Sequence, residues 1–441
     1  MKRLFKVDYL SRVEGETGIT AEILDGEVTV RAGVFEAPRF FESFLRGRHY
    51  TDIADFTARI CGICPVAYQM SAVHAVERIF GVEVEEPIRA LRRLLYCGEW
   101  IESHALHIYL LEGPDFYGAE SAWSKREYLP IAKRGLSFKG LGNRILTLLG
   151  GRPIHPLSVK VGGFSRLPDE KSLLSLLPDL DDACEKSLRE IEWSARLPFQ
   201  DHAMDRECVS LCDSREYPMN HGDVISNRGI HTPMAGFLVM VRESQVKHST
   251  ALHSKIRKDG LETSYFVGPI SRFNLNAEKL PSEITATIRK CGIAPPIMNT
   301  HMGIIARSIE LSYALHEATR IIRAYEAPSR PSVRFEPRGG DATWITEAPR
   351  GILIHRYELD HEGYVKDCTL IPPTSQNLAQ MEIDLRDFIQ NHIGKPVEFL
   401  KKESEKIVRS YDPCISCSVH LAVLEGNKTE RPPYGVRGDV A

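Results

Sequence analysis

The chain has 441 residues, 43% hydrophobic and 26% charged, which suits a globular protein with one large core or two to three ordinary domains. A net charge of -3 supplies no basic field for nucleic acid or an anionic membrane as the main partner. Ten cysteines in so long a chain exclude a small disulfide framework, and their Cys-x-x-Cys spacing fits metal ligation in a reducing compartment.

The opening Met1-Lys2-Arg3-Leu4-Phe5-Lys6-Val7-Asp8 lacks the apolar run of a signal peptide. No window reaches the length of a membrane span. Cytoplasm is the expected location, with export on a partner's signal as the alternative. Residues 5 to 35 alternate apolar and polar around Asp25-Gly26, which predicts a β-hairpin. Pro65 at a first helical turn predicts a helix to Phe80, with Gly81 as its stop. Pro87 begins a longer helix towards Glu112-Gly113, with Leu91, Leu94, Leu95, Ile101 and Leu106 near helical spacing. Further helices are predicted over 170–196, 301–327 and 376–392. The apolar run Gly236 to Val241 reads as a buried strand inside a mixed region, 198–272. Residues 328–360, rich in Pro, Gly and Arg, read as loop and strand. The sum is mainly α with a small N-terminal β portion, in the α+β class. No break in composition marks a domain boundary. One domain over 1–420 and a polar tail over 421–441 are expected.

Two cysteine pairs lie near opposite ends: Cys61 with Cys64, and Cys414 with Cys417. Brought together, four thiolates make a soft metal cage. Spacing alone leaves a structural zinc site and a redox-metal site on equal terms. Two features favour the redox metal. Zinc modules draw on pairs close in sequence, whereas most of the chain separates these. Cys61-Gly62 also opens a turn into a helix, whose backbone donors can reach the thiolate sulfurs. Cys414, Cys417 and His420 recur every three residues, on adjacent turns if helical.

Arg59-Ile60-Cys61-Gly62-Ile63-Cys64 and Asp412-Pro413-Cys414-Ile415-Ser416-Cys417-Ser418-Val419-His420 resemble the two metal signatures of nickel–iron hydrogenase large subunits. The resemblance runs from about residue 10 to 420, with further motifs in the family's order. These are Arg12-Val13-Glu14-Gly15-Glu16, Gly150-Gly151-Arg152-Pro153-Ile154-His155-Pro156, Glu347-Ala348-Pro349-Arg350-Gly351 and Pro372-Pro373-Thr374-Ser375-Gln376-Asn377. The length and the wording around Cys64 resemble the cytoplasmic, NAD(P)-linked sulfhydrogenase alpha group.

The resemblance implies the nickel–iron hydrogenase large-subunit fold and reversible heterolytic cleavage of dihydrogen. It implies a nickel–iron centre held by Cys61, Cys64, Cys414 and Cys417, with Cys64 and Cys417 bridging to iron. The iron would carry carbon monoxide and cyanide. Cys414 would act as base, Glu14 would relay the proton, and Arg350 would hang over the site. Arg350, Pro373 and Thr374 would contact the cyanides, and Asp115 and Asp412 would surround Arg350. A magnesium or iron ion would be held by Glu42, the Leu370 carbonyl and His420. The implied partners are an iron–sulfur small subunit, flavin- and NAD(P)-binding diaphorase subunits, nickel-loading factors and a maturation protease that removes the tail after His420. The alternatives are a hydrogen-sensing regulatory protein with the same site and a deazaflavin-reducing hydrogenase. A metal-free structural protein is the third reading, and the four retained cysteines speak against it.

One position departs from the pattern: Tyr68 stands where the family usually has histidine, and its hydroxyl can donate to a bridging sulfur. On residue chemistry alone, Glu14 reads as an exposed strand-end carboxylate and Asp412-Pro413 as a helix N-cap with Pro at the first turn. His104 and His107 read as packing residues, His74 as an ordinary histidine, and His155 as one that orders the fold near the metals. Cys97, Cys184, Cys291 and Cys368 read as buried small hydrophobes. Cys208 and Cys212 lack the companion pair a second metal would need.

Overall fold

A computed structural model describes residues 3–419. Strands Arg3–Val7, Thr17–Leu24 and Glu27–Val34 form an antiparallel sheet in sequence order. Asp25 and Gly26 take positive φ at 51° and 92°, as a tight Asp-Gly turn requires.

The helical core starts at Pro65–Phe80, ended by left-handed Gly81. Glu86–Leu106 follows and continues as a π-helical stretch, His107–Glu112. It packs on Leu129–Gly150, a helix that composition hid because it holds several glycines. Those glycines serve close approach: a Cβ on Gly142 would stand 2.7 Å from the Gly98 carbonyl oxygen. Leu177–Ala195 and Gly303–Arg323 complete this layer.

The single helix expected over 170–196 is two helices, Glu170–Leu174 and Leu177–Ala195. Pro178 lacks the backbone donor that would carry the first helix through, and it sits in the first turn of the second, where that donor is not needed. Gly236–Val241 is not a strand. Met234–Met240 is a helix, begun by the Pro233 carbonyl accepting from Phe237 N–H, and Val241 starts the next strand. A short apolar run does not reveal its own period.

Three antiparallel strands, Gly340–Ala348, Gly351–Leu359 and Val365–Ile371, make a separate three-stranded sheet, far along the chain from the N-terminal one. β-structure is therefore not confined to the N-terminus, although the α+β class holds. Pro372 ends this sheet and Pro373–Asn391 begins the next helix. Val397–Tyr411, missed in the sequence because its apolar stripe is narrow, leads to Asp412.

Candidate metal centre

Two segments from opposite ends of the chain meet at one buried point. Cys61 lies in the loop before the Pro65–Phe80 helix, and Cys64 is that helix's N-cap. Cys414 is the N-cap of the short helix Ile415–Ser418, which contains Cys417. The Sγ atoms of Cys61 and Cys414 stand 3.4 Å apart, those of Cys64 and Cys417 3.8 Å, and those of Cys414 and Cys417 2.8 Å. All four lie within 4.8 Å of one another, all are buried, and none is in a disulfide. Cys61 Sγ also accepts backbone N–H groups of Ile63 at 3.3 Å and Cys64 at 3.2 Å.

Burial opposes ionisation here, yet hydrogen bonds from the neighbouring thiols and the nearby Arg350 charge hold Cys61 well below the ordinary thiol range. Contacts with Cys417, Cys61 and Cys64 push Cys414 well above it, and burial adds to this. Four sulfurs this close share protons poorly, and a soft cation replaces those protons with bonds. The donor set fits a nickel–iron centre.

Arg350 occupies the tip of the hairpin whose strands pair Ala348 with Gly351. Gly351 has φ 135°, and a Cβ there would stand 2.5 Å from a Val267 side-chain carbon, so the tip enters the core only with glycine after Arg350. Its Nε donates to the Asp412 carbonyl oxygen at 2.8 Å, and Nη2 donates to Asp412 Oδ1 at 3.0 Å. This two-point grip fixes the guanidinium plane. Asp412 is not a helix N-cap. It is the left-handed C-cap of Val397–Tyr411, at φ 54°. Although burial opposes it, the Arg350 charge holds the Asp412 carboxyl below its usual range, with His107 and Arg307 adding to the effect.

Asp115 does not join this pair. It lies in the short helix Gly113–Phe116 that follows the π-helical stretch, and accepts from Arg12 at 2.5 Å and from Arg409 Nε at 2.6 Å. The other end of the Arg350 guanidinium faces Ser103 Oγ at 3.5 Å. Sequence reasoning missed Ser103 and also Glu99, one turn earlier. Glu99 is fully buried, and its carboxylate accepts Val66 N–H at 2.6 Å and Ala67 N–H at 3.2 Å. Their i, i+4 spacing on one helix was the available signal.

Glu14 pairs with Cys414 as a parallel bridge. Its carbonyl oxygen accepts Ile415 N–H at 3.1 Å, and its Oε2 accepts Ser416 N–H at 3.0 Å. Glu14 is thus half-buried against the second cysteine segment rather than standing exposed at a strand end. Thr374, in the first turn after Pro373, accepts Cys414 N–H through Oγ1 at 2.9 Å. Glu42 is buried, and its Oε1 accepts Leu370 N–H at 2.7 Å. His420 and the tail lie outside the described residues.

Tyr68 is buried beside the cluster, and its hydroxyl has no hydrogen-bond partner among the described residues. Burial pushes its pKa well up, reinforced by the charges of Cys417 and Cys64. His104 Nε2 lies 3.0 Å from Glu310, and His107 Nε2 contacts the Arg409 carbonyl oxygen at 2.8 Å. His74 stacks on Trp344, and His155 Nδ1 meets the Ala58 carbonyl oxygen at 2.7 Å. Cys97, Cys184 and Cys368 are buried, while Cys291 is only partly so. Lys279 Nζ donates to Cys212 at 3.0 Å.

The family model described as nickel-dependent hydrogenase matches residues 39–129 and 262–420. The alpha subunit of sulfhydrogenase 2 from Pyrococcus furiosus is 34% identical, over 96% of this chain and 100% of that protein. An F420-non-reducing hydrogenase chain of Methanothermobacter thermautotrophicus is 28% identical, over 98% of each. Among solved structures, an NAD+-reducing [NiFe]-hydrogenase in the H2-reduced state superposes with a TM-score of 0.85 at 24% identity, over 95% of this chain and 99% of that one. The Ni-Fe-Se hydrogenase of D. vulgaris Hildenborough gives 0.77 at 20% identity, over 95% and 100%. Family match, relatives and a buried four-cysteine cage under an arginine agree: the chain belongs to the nickel-dependent hydrogenases, as a large subunit.

Proposed function

We propose that this protein catalyses reversible heterolytic cleavage of dihydrogen and passes electrons through an iron–sulfur small subunit to NAD(P). The observation that carries the reading is the convergence of Cys61, Cys64, Cys414 and Cys417 at one buried point beneath Arg350. When bound there, a nickel–iron pair with carbon monoxide and cyanide on iron supplies the electrophilic, redox-active centre.

The chain's own groups do the rest. Cys414 accepts the proton at Sγ. Glu14, joined to the Cys414 segment by two hydrogen bonds, carries it outward. The Arg350 guanidinium, held by Asp412, points fixed donors at the site. Thr374 and Pro373 would contact the cyanides. Burial of all four cysteines excludes bulk water from the thiolates.

Glu42, the Leu370 carbonyl and His420 are proposed to hold magnesium. The closeness of Glu42 to the Leu370 backbone supports the first two. Residues 1–420 are proposed as one folding unit and 421–441 as a removable maturation tail. The Glu14–Cys414 bridge between the two ends supports the single unit.

Likeness to the sulfhydrogenase alpha subunits supports the subgroup, and likeness to the fold of an NAD+-reducing enzyme supports the NAD(P) link. Relatives named as F420-non-reducing lend nothing to deazaflavin reduction. No helix among the described residues is long and apolar enough to cross a membrane, which accords with the proposed cytoplasmic location.

Infrared spectroscopy of the purified, matured complex tests the reading. Carbonyl and cyanide stretches of an iron centre are expected. An active preparation without them, or mature protein holding stoichiometric zinc and no nickel at the four cysteines, refutes it.

A further inference from the structure

A second constellation of ligand-type residues lies midway along the helix that begins at the metal centre. Glu382 belongs to the Pro373–Asn391 helix. His253 is in strand Leu252–Lys258, and His248 is in the turn joining that strand to Val241–Gln245. Glu382 Oε1 accepts Ala32 N–H at 2.9 Å and lies 2.7 Å from His248 Nε2. His253 Nδ1 stands 3.9 Å from the other carboxylate oxygen, Oε2. The two imidazoles are 5.8 Å apart and nearly perpendicular. One ligand atom from each of the three residues lies within 4.8 Å of the other two.

An ordinary ion pair explains only half of this. His248 with Glu382 is such a pair, partly exposed at 26% and 20%. His253 is not part of it. Its side chain is 4% exposed, its Nδ1 is beyond hydrogen-bond reach of Oε2, and its Nε2 is buried without a partner among the described residues. The buried Nε2 carries a cost that no hydrogen bond relieves among the described residues.

We propose that His248, His253 and Glu382 form a second metal site, for a divalent ion of the zinc class, independent of the hydrogenase centre. Two imidazoles and one carboxylate are a donor set for borderline ions rather than for magnesium or calcium. Bonds of about 2.1 Å require the three side chains to close in by on the order of 1 Å. The ion replaces the His248 Nε2 proton. The Ala32 N–H already holds the carboxylate in place, as a second partner commonly does for a ligating carboxylate. His253 and Glu382 line a cleft of about 740 Å³, which gives the ion a path in and room for water as fourth ligand. A bound ion would tie the hairpin to the helix whose first turn carries Thr374.

The test uses the matured complex with its nickel–iron centre filled, washed with chelator and titrated with zinc chloride alone. One retained zinc per chain is expected by elemental analysis. His248→Ala and Glu382→Gln, both at partly exposed positions, are expected to weaken it by about tenfold or more. Cobalt in place of zinc is expected to show ligand-field bands without thiolate charge-transfer absorption. Wild-type complex that takes up no zinc, binding that survives both substitutions, or thiolate bands in the cobalt spectrum each overturns the proposal.

Discussion

Glu14 and Cys414 face each other across a parallel bridge, although they come from opposite ends of the chain. Ile415 N–H reaches the Glu14 carbonyl oxygen, and Ser416 N–H reaches Oε2, an acceptor that a glutamine amide oxygen retains. Substituting the side chain should therefore leave the metal cage closed. Glu14→Gln is expected to lower hydrogen oxidation by about 10²–10⁴-fold through loss of the ionisable relay. Nickel content and infrared bands should stay as in wild type. Unchanged turnover would show that protons leave by another path.

Arg350 is held at two points by Asp412, which a lysine ammonium cannot reproduce. Arg350→Lys is expected to keep the charge and lose the orientation, with turnover down about 10²–10³-fold. Steady-state assays beside infrared spectra separate this from metal loss. A variant with full metal content and near wild-type turnover would remove Arg350 from the chemistry.

The sequence carried most of what local rules decide. Asp25-Gly26 needed positive φ and Gly81 a left-handed stop, and both residue types announce that need. The cysteine pairs announced a cage because thiolates have few other uses at that spacing. What stayed hidden depended on distant neighbours. Gly142 lowers the helix propensity of Leu129–Gly150 but is required by the backbone of Gly98. Asp412 looked like the start of a helix and is the end of one, since its conformation is set by the Arg350 grip and the cysteine turn beyond it. Asp115 had the right charge for Arg350 and the wrong position, and only the fold reveals Arg12 and Arg409 as its partners.

Glu112 closes the π-helical stretch, accepting from Ser410 Oγ at 2.6 Å with His107 Nδ1 3.4 Å away. Burial, only partly offset by Arg307 and Ser410, raises its carboxyl from 4.5 to about 7. The native state then keeps a proton that the unfolded chain has released. Its contribution to stability is full below the unfolded value and falls as pH rises towards 7, by about 3 kcal/mol at most. Glu112→Gln removes this dependence. Its melting temperature is expected to rise relative to wild type between about pH 5 and 8. A constant difference across that range would contradict a buried neutral acid.

Glu99 offers its carboxylate to the first N–H groups of the helix that Cys64 caps. Glu99→Ala leaves Val66 and Ala67 buried with unpaired donors, at about 1–3 kcal/mol. Glu99→Gln keeps an acceptor oxygen and should cost far less. Urea midpoints of the two variants check the order. Equal midpoints would mean that water or a backbone shift satisfies those donors.

Tyr68 presents a buried hydroxyl, without a partner among the described residues, to a cluster whose thiolate charge it feels. A donor in that position gains a partner once a sulfur carries full thiolate charge on a metal. Hydrogen bonds to ligating sulfurs favour the more electron-rich state of a centre. Tyr68→Phe preserves ring volume and removes only that donor, so fold and nickel content should be unchanged. The midpoint potential is expected to fall, and the carbonyl stretch to move to lower frequency as electron density on the metals rises. Tyr68→His, which restores a donor, should recover part of both shifts. If the phenylalanine variant matches wild type in potential and spectrum, the hydroxyl does not donate to the cluster, and its burial has only a packing role.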